Sequence, residues 1–243
     1  MDAFASACAR VIGQQREKRG IGTESEKTLH AVLKWYYDPD ETHHEVPLGH
    51  YRADLFDGKR VVEIQTRQLY RLRPRLEAFL ADYPVLVVHP LPARKWLSWI
   101  DPKTGERTPE RLSPKRGTVY DAFSELRGLG PLLRHPRLSV CLLLIDLHET
   151  RLLDGWGNGG KRGSHRADRV PVALSDEVML ACPADYLRLL PPGLPDPFDA
   201  AAFAAAARVT PRRAHDGLQL LCTTGVLERA GRSGRRYLYR HTA

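Results

Sequence analysis

The stretch ADLFDGKRVVEIQT, Ala53 to Thr66, decides how this chain is read. Asp57-Gly58 is a strong two-residue turn signal between two runs of strand-forming residues. With that turn, Phe56 pairs with Lys59 and Asp54 lies opposite Val61. Side chains alternate along a strand, so Val61, Glu63 and Gln65 share one face, and Asp54 faces the same way with Glu63 as its diagonal neighbour. Val62 and Ile64 point to the other face, toward a core. A half-buried strand would carry apolar residues where Glu63 and Gln65 stand. The polar face is therefore either open to water or the floor of a site. Two nearby carboxylates repel unless something positive lies between them. Carboxylate oxygens suit a hard divalent cation, Mg²⁺ or Mn²⁺. Such an ion can activate water and stabilise the charge on a phosphodiester under in-line attack.

Outward from the hairpin, the chain alternates helical and extended patterns. On the N-terminal side, Leu29, Val32, Leu33 and Tyr36 recur at helical spacing and predict a helix from Thr23 to Tyr36. Val46 to Phe56 reads as extended, interrupted at Gly49. On the C-terminal side, RPRLEAFLADY predicts a helix with Pro74 in its first turn. PVLVVHPL follows as a short buried strand. KWLSWID and RLSVCLLLIDL predict further strands, with a helix over VYDAFSELRGL between them. ETRLLDGWGNGGKRGSHRADR starts as strand and opens into a basic, glycine-rich loop without P-loop spacing.

These residues carry a resemblance. Asp54 with Glu63-Ile64-Gln65, set between a helix and a following helix-strand unit, resembles the PD-(D/E)XK nuclease superfamily, whose αβββαβ core the reading approximates over residues 23 to 92. The resemblance implies an α/β, restriction-endonuclease-like fold. It implies that Asp54 and Glu63 bind Mg²⁺ or Mn²⁺, with the Ile64 carbonyl as an added ligand, and that DNA phosphodiesters are the substrate. Members of the superfamily often add a Glu from the first core helix. Glu26 shares the face of Leu29 and Leu33, whereas Glu24 sits about 200° away from it, so Glu26 is the choice. Thr23-x-x-Glu26 also fits a capping box, which would explain it without chemistry. His30 lies one turn further on, as a site-lining or a structural residue. The chain departs from the family pattern at Gln65, where the motif usually has Lys, and at Ala53, where it names Pro. Without the lysine, Gln65 positions water or phosphate, and Lys59, Arg67, Gln68 or Tyr70 are candidates to supply the missing donor. The rival expectation is a nuclease fold without catalysis, acting as a DNA-binding regulator. Nucleases of this fold often act as homodimers, which the resemblance allows here.

A proline-dense boundary, LPPGLPDPF, predicts two domains, 1–180 and 181–243. The second reads as helices over PADYLRLL, PFDAAAFAAAARV and TPRRAHDGLQLLCTTGVL. Thr210 is the expected N-cap of the last, Pro211 its first residue and Gly225 its C-terminal stop. Two short strands around Gly231–Gly234 follow. Three helices and a basic hairpin resemble a winged helix-turn-helix. Arg212 and Arg213 would open the recognition helix, and Arg232, Arg235 and Arg236 would lie on the wing toward phosphates. A winged helix used for protein contact is the plainer alternative.

Composition agrees with a polyanionic partner. The net charge is +8 over 243 residues, and the last 36 residues hold eight arginines against Asp216 and Glu228. Hydrophobic content is 42% and charged content 27%, ordinary for a globular protein. The longest apolar runs are too short to span a bilayer, and the N-terminus lacks the apolar core of a secretory signal. Cys8, Cys141, Cys182 and Cys222 form no metal-binding or disulfide pattern. A cytoplasmic protein with reduced thiols is expected.

Overall fold

The computed structural model describes residues 2–18, 27–156 and 162–242. In chain order, helices α1 (Ala3–Lys18) and α2 (Lys27–Tyr37) precede strands β1 (His44–Leu48), β2 (Tyr51–Phe56) and β3 (Val61–Ile64). Helix α3 (Arg73–Asp82) leads to β4 (Val85–Ile100) and β5 (Arg111–Leu112). Then come α4 (Phe123–Arg127), β6 (Leu138–Trp156) and β7 (Arg162–Leu180). The C-terminal segment contains β8 (Phe198–Asp199), α5 (Ala200–Ala207), α6 (Pro211–Thr224), β9 (Leu227–Ser233) and β10 (Arg236–His241). The protein is mixed α/β. Its large sheet has the order β1-β2-β3-β4-β6-β7, with β5 added to β4. A three-stranded sheet has the order β8-β10-β9. No described helix is long and apolar enough to cross a membrane.

The chain divides into two compact units. The first gathers Met1–His44, Pro92–Gly117 and Leu143–Asp176; the second gathers Glu45–Leu91, Thr118–Leu142 and Glu177–Ala243. In the first unit, the predicted stripe of α2 is inward: Leu29, Val32 and Leu33 are buried with Phe4 and Val11 of α1. Phe4 meets Tyr36 edge-on at 5.4 Å, and the Arg10 guanidinium lies 3.4 Å from the Trp35 ring centroid. Glu24 and Glu26 lie outside the described residues, as does the tip of the glycine-rich loop at 157–161. On either side of that tip, β6 and β7 are 19-residue strands. The segment read as an open loop from Arg162 onward is thus strand.

In the second unit, β3 is flanked by antiparallel β2 and parallel β4. All four residues of β3 are buried, Glu63 among them. The hairpin register differs from the expected one. Phe56 pairs with Val61 and Leu55 with Val62, so the connection is Asp57–Arg60 and not a two-residue turn. The cause is the Asp57 side chain: its Oδ1 accepts the N–H groups of both Lys59 (2.8 Å) and Arg60 (2.7 Å). That local bonding stabilises a longer loop, in which Gly58 takes a φ of +86°. Strand β4 also exceeds expectation, running through KWLSWI. Pro90 and Pro92 are two residues apart, so their missing N–H groups lie along one edge, which a strand tolerates.

The C-terminal segment follows its local signals at α5 and α6, whereas PADYLRLL forms a 3-10 helix (Pro183–Leu189) and Phe198–Asp199, expected to open a helix, pairs as β8. Asp199 caps α5 by accepting from Ala202 N–H at 2.8 Å, and Thr210 caps α6 by accepting from Arg213 N–H at 3.3 Å. Gly225 ends α6 in the left-handed region, φ +81°. Ala214, Gly217, Leu218, Leu220 and Leu221 of α6 are buried. Gly217 lies against the fully buried ring of Phe123: a Cβ there would stand 2.6 Å from Phe123 Cε2. The helices approach this closely because position 217 has no side chain.

Candidate active site

The hairpin brings the two expected carboxylates together more directly than the predicted register. Continuing the observed pairing, Asp54 stands directly across from Glu63 instead of diagonal to it. Asp54 Oδ2 accepts the Ile64 N–H at 2.7 Å. The reason lies in strand alternation. Val61 and Gln65 donate to Pro84 and Val88 on the β4 side, so the Ile64 N–H points toward β2, where the Asp54 side chain serves as acceptor. This bond fixes the Asp54 carboxylate beside Glu63.

Glu63 is 1% exposed. Its Oε2 accepts from Arg75 Nη1 of α3 at 2.5 Å, while Oε1 has no hydrogen-bond partner among the described residues. Burial is the main force on its acidity, and the Asp54 charge adds to it; Arg75 opposes both. The net result pushes the Glu63 pKa up to about 8. At neutral pH in the absence of a cation, this carboxyl is predominantly protonated.

Glu45 of β1 lies beside Asp54. Its carboxylate and that of Asp54 offer oxygens within 4.8 Å of one another. Glu45 holds a φ of +53°, a left-handed conformation that non-glycine residues seldom adopt. Such an outlier costs on the order of 1–3 kcal/mol and persists where its surroundings demand it. Gln65 uses its amide locally: Nε2 donates to the Arg67 carbonyl at 2.8 Å. The Gln65 carbonyl lies 2.7 Å from Nδ1 of buried His89, so the end of β3 is tied to β4. His30 lies on α2, in the first unit.

A profile of a domain of unknown function, DUF8091, matches residues 27–181, well over half of the chain. The chain belongs to the DUF8091 family. The DUF8091 region contains Asp54, Glu63, Gln65, Glu45 and Arg75, whereas the C-terminal helices and hairpin lie beyond it. An uncharacterized protein of Treponema pallidum (strain Nichols) is 32% identical over 151 residues, 61% of this chain and 59% of that protein. The chain thus covers less than two thirds of that relative's length. No solved structure matches.

Beyond the DUF8091 region, the expected DNA-facing arginines divide into two groups. Arg212 is exposed in the first turn of α6, and Arg235 is exposed in the β9–β10 turn. Arg213 is held to Asp121 at 2.6 Å and Arg236 to Asp199 at 3.0 Å. Arg232 hydrogen-bonds the Tyr237 hydroxyl and lies 4.3 Å from that ring's centroid. Within the DUF8091 domain, sequence reading missed Glu45, Arg75 and His89. Only Glu45 left a trace: it is an acidic residue on the strand adjacent to the one that carries Asp54.

Proposed function

We propose that this chain is a divalent-metal-dependent nuclease acting on phosphodiester bonds, in DNA foremost, with residues 181–243 as a winged-helix domain that binds the substrate. The observation that carries the reading is Asp54 set directly across from buried Glu63, whose Oε1 lacks a partner among the described residues. Glu45 and Asp54 bring carboxylate oxygens together and Glu63 stands across from Asp54, so the three would make an all-oxygen donor set suited to Mg²⁺ or Mn²⁺. They would hold the ion together with the Ile64 carbonyl. When bound, the ion supplies Lewis-acid stabilisation of charge on a phosphodiester. The element order α2, β1, β2, β3, α3, β4 agrees with the αβββαβ core of PD-(D/E)XK nucleases.

The chain's own residues divide the work. The Ile64 N–H orients Asp54, and Arg75 orients Glu63. Arg75 also answers the lysine missing from the motif: its guanidinium pairs with Glu63 while its side chain remains 34% exposed. Its remaining N–H donors are suited to a phosphate oxygen. Gln65, bonded to Arg67, shapes the end of β3. In the C-terminal domain, β8, α5, α6, β9 and β10 with their three-stranded sheet follow winged-helix order. Arg212, Arg232 and Arg235 would meet DNA, while Arg213 and Arg236 position the helix and wing through their ion pairs. The exposed thiol of Cys182 is compatible with the reducing cytoplasm expected from the sequence.

Purified protein is expected to cut plasmid, forked or single-stranded DNA with Mn²⁺ or Mg²⁺ and not with EDTA. Salt-sensitive binding without cleavage of any substrate would favour a non-catalytic regulator, a reading that the Glu63–Arg75 pair also supports because Arg75 occupies Oε2, one of the oxygens an ion would need. Arg75→Ala is expected to slow cleavage about 10²-fold, the scale of losing one preorganised donor, and Arg75→Lys to recover part of it. Unchanged kcat in Arg75→Ala would remove Arg75 from the mechanism.

A further inference from the structure

We propose that the first unit carries a second nucleic-acid contact surface, where Lys95, Arg151 and Arg166 converge on one buried carboxylate, Glu149, and present their positive charge to backbone phosphates. The proposal rests on nucleic acid as the partner and is independent of cleavage.

Glu149 of β6 is 0% exposed. Its Oε1 is taken by Arg151, with Nη2 at 2.6 Å and Nε at 2.8 Å. Its Oε2 is shared by three cations at longer range: Arg169 at 3.4 Å, Arg166 at 3.5 Å and Lys95 at 3.6 Å. Four cations therefore face one carboxylate. The nearby acid Asp146 is engaged by Arg94, and Asp168 accepts the Thr28 hydroxyl and the Arg169 backbone N–H. Among the described residues, Glu149 sets one negative charge against Lys95, Arg151 and Arg166, and a single oxygen cannot accept well-formed bonds from three donors at 3.4–3.6 Å.

The like charges have an energetic consequence. Burial lowers the Lys95 pKa, and Arg169, Arg151 and Arg166 lower it further against the pull of Glu149. An added anion would relieve that repulsion. Access is available: the side chains of Arg166 and Arg151 are 36% and 33% exposed and that of Lys95 20%, whereas Glu149 is closed off. A buried carboxylate with outward-reaching cations is a preorganised cluster. Glu149 holds the Arg151 and Arg166 guanidinium groups together, and both side chains reach solvent, where phosphate oxygens accept forked N–H pairs. A structural role alone would be met by Arg151, whose two bonds already satisfy Oε1.

The test is anisotropy of a labelled DNA duplex with the full chain in EDTA, from 50 to 300 mM KCl. Lys95→Gln/Arg166→Gln leaves the tight Arg151–Glu149 pair in place, and a thermal melt verifies its folding. It is expected to weaken binding at 100 mM KCl at least about tenfold and to lower the salt slope by about 2, one for each lost phosphate contact. Arg166→Lys keeps the charge and should keep the slope. Binding lost in a wing variant, Arg232→Gln/Arg235→Gln, but untouched in Lys95→Gln/Arg166→Gln would overturn this proposal alone. No duplex binding by the unaltered protein at 50 mM KCl would overturn both it and the nucleic-acid reading. If Lys95→Gln/Arg166→Gln loses binding to phosphatidylserine-phosphatidylcholine vesicles while duplex binding is unchanged, the surface belongs to a membrane and the proposal is wrong.

Discussion

Glu63→Gln is expected to reduce metal-dependent cleavage on the order of 10³-fold, the upper range for removing one preorganised group that stabilises charge. The same substitution should make the metal-free protein more stable at pH 8. The second half follows from the sign of the pKa shift. The Glu63 carboxyl titrates near 4.5 when unperturbed and at about 8 in the folded protein. The folded state therefore keeps a proton that the unfolded chain releases across that window. Its stabilising contribution is complete below pH 4.5 and is progressively lost as pH rises to about 8, with a slope of at most about 1.4 kcal/mol per pH unit. Glutamine fills the same space without ionising, so Glu63→Gln lacks this loss. Urea unfolding in EDTA at pH 6, 7 and 8 measures the difference, which should widen with pH in favour of glutamine. Parallel pH dependence in the two proteins would show that Glu63 is not held protonated. Cleavage that survives both Glu63→Gln and Asp54→Asn would end the catalytic assignment.

The second large effect concerns packing. Phe123→Ala should cost about 3–5 kcal/mol, typical of deleting a buried aromatic ring and a large share of the stability of a globular domain. Phe123 is fully buried, 5.5 Å from the Tyr120 ring centroid and 6.0 Å from that of Phe203. Its far side meets Gly217, which has no side chain with which to fill the cavity. This arrangement makes a sharper expectation possible. Gly217→Ala alone should destabilise, because its Cβ would stand 2.6 Å from the ring. In Phe123→Ala the same change should stabilise, since the ring is gone and alanine favours a helix over glycine by up to about 1 kcal/mol. A double-mutant cycle by urea denaturation reads that reversal. If Gly217→Ala has the same effect in both backgrounds, the two residues do not oppose each other.

Features set by neighbours in sequence were the legible ones. Helix α2 was visible in the spacing of Leu29, Val32, Leu33 and Tyr36. Helix α6 was visible at both ends because Thr210, Pro211 and Gly225 act through their own backbone. The hairpin was recognised but its register was not. Asp57-Gly58 signals a turn, yet the side chain of Asp57 captures two further N–H groups and lengthens it. The change favoured the site, since it moved Asp54 from opposite Val61 to opposite Glu63. Arg75 was read only as a helix residue, because its contact with Glu63 depends on how α3 packs over β3. Glu45 requires a left-handed backbone that no residue type around it announces. Glu149 sits in a strand whose earlier residues are mostly apolar, and the cations that make its burial tolerable come from β4, β6 and β7.

The contact between Phe123 and Gly217 also bears on how the chain is built in modules. Residues 27–181 carry the family resemblance, yet Phe123, inside that region, is covered by a helix outside it. The boundary of shared ancestry and the boundary of packing therefore do not coincide. A fragment ending at residue 181 would expose an aromatic ring together with the surface that α6 now covers. The pairing of this domain with its α6 helix is thus a matched fit, in which the ring at 123 and the bare position at 217 depend on each other.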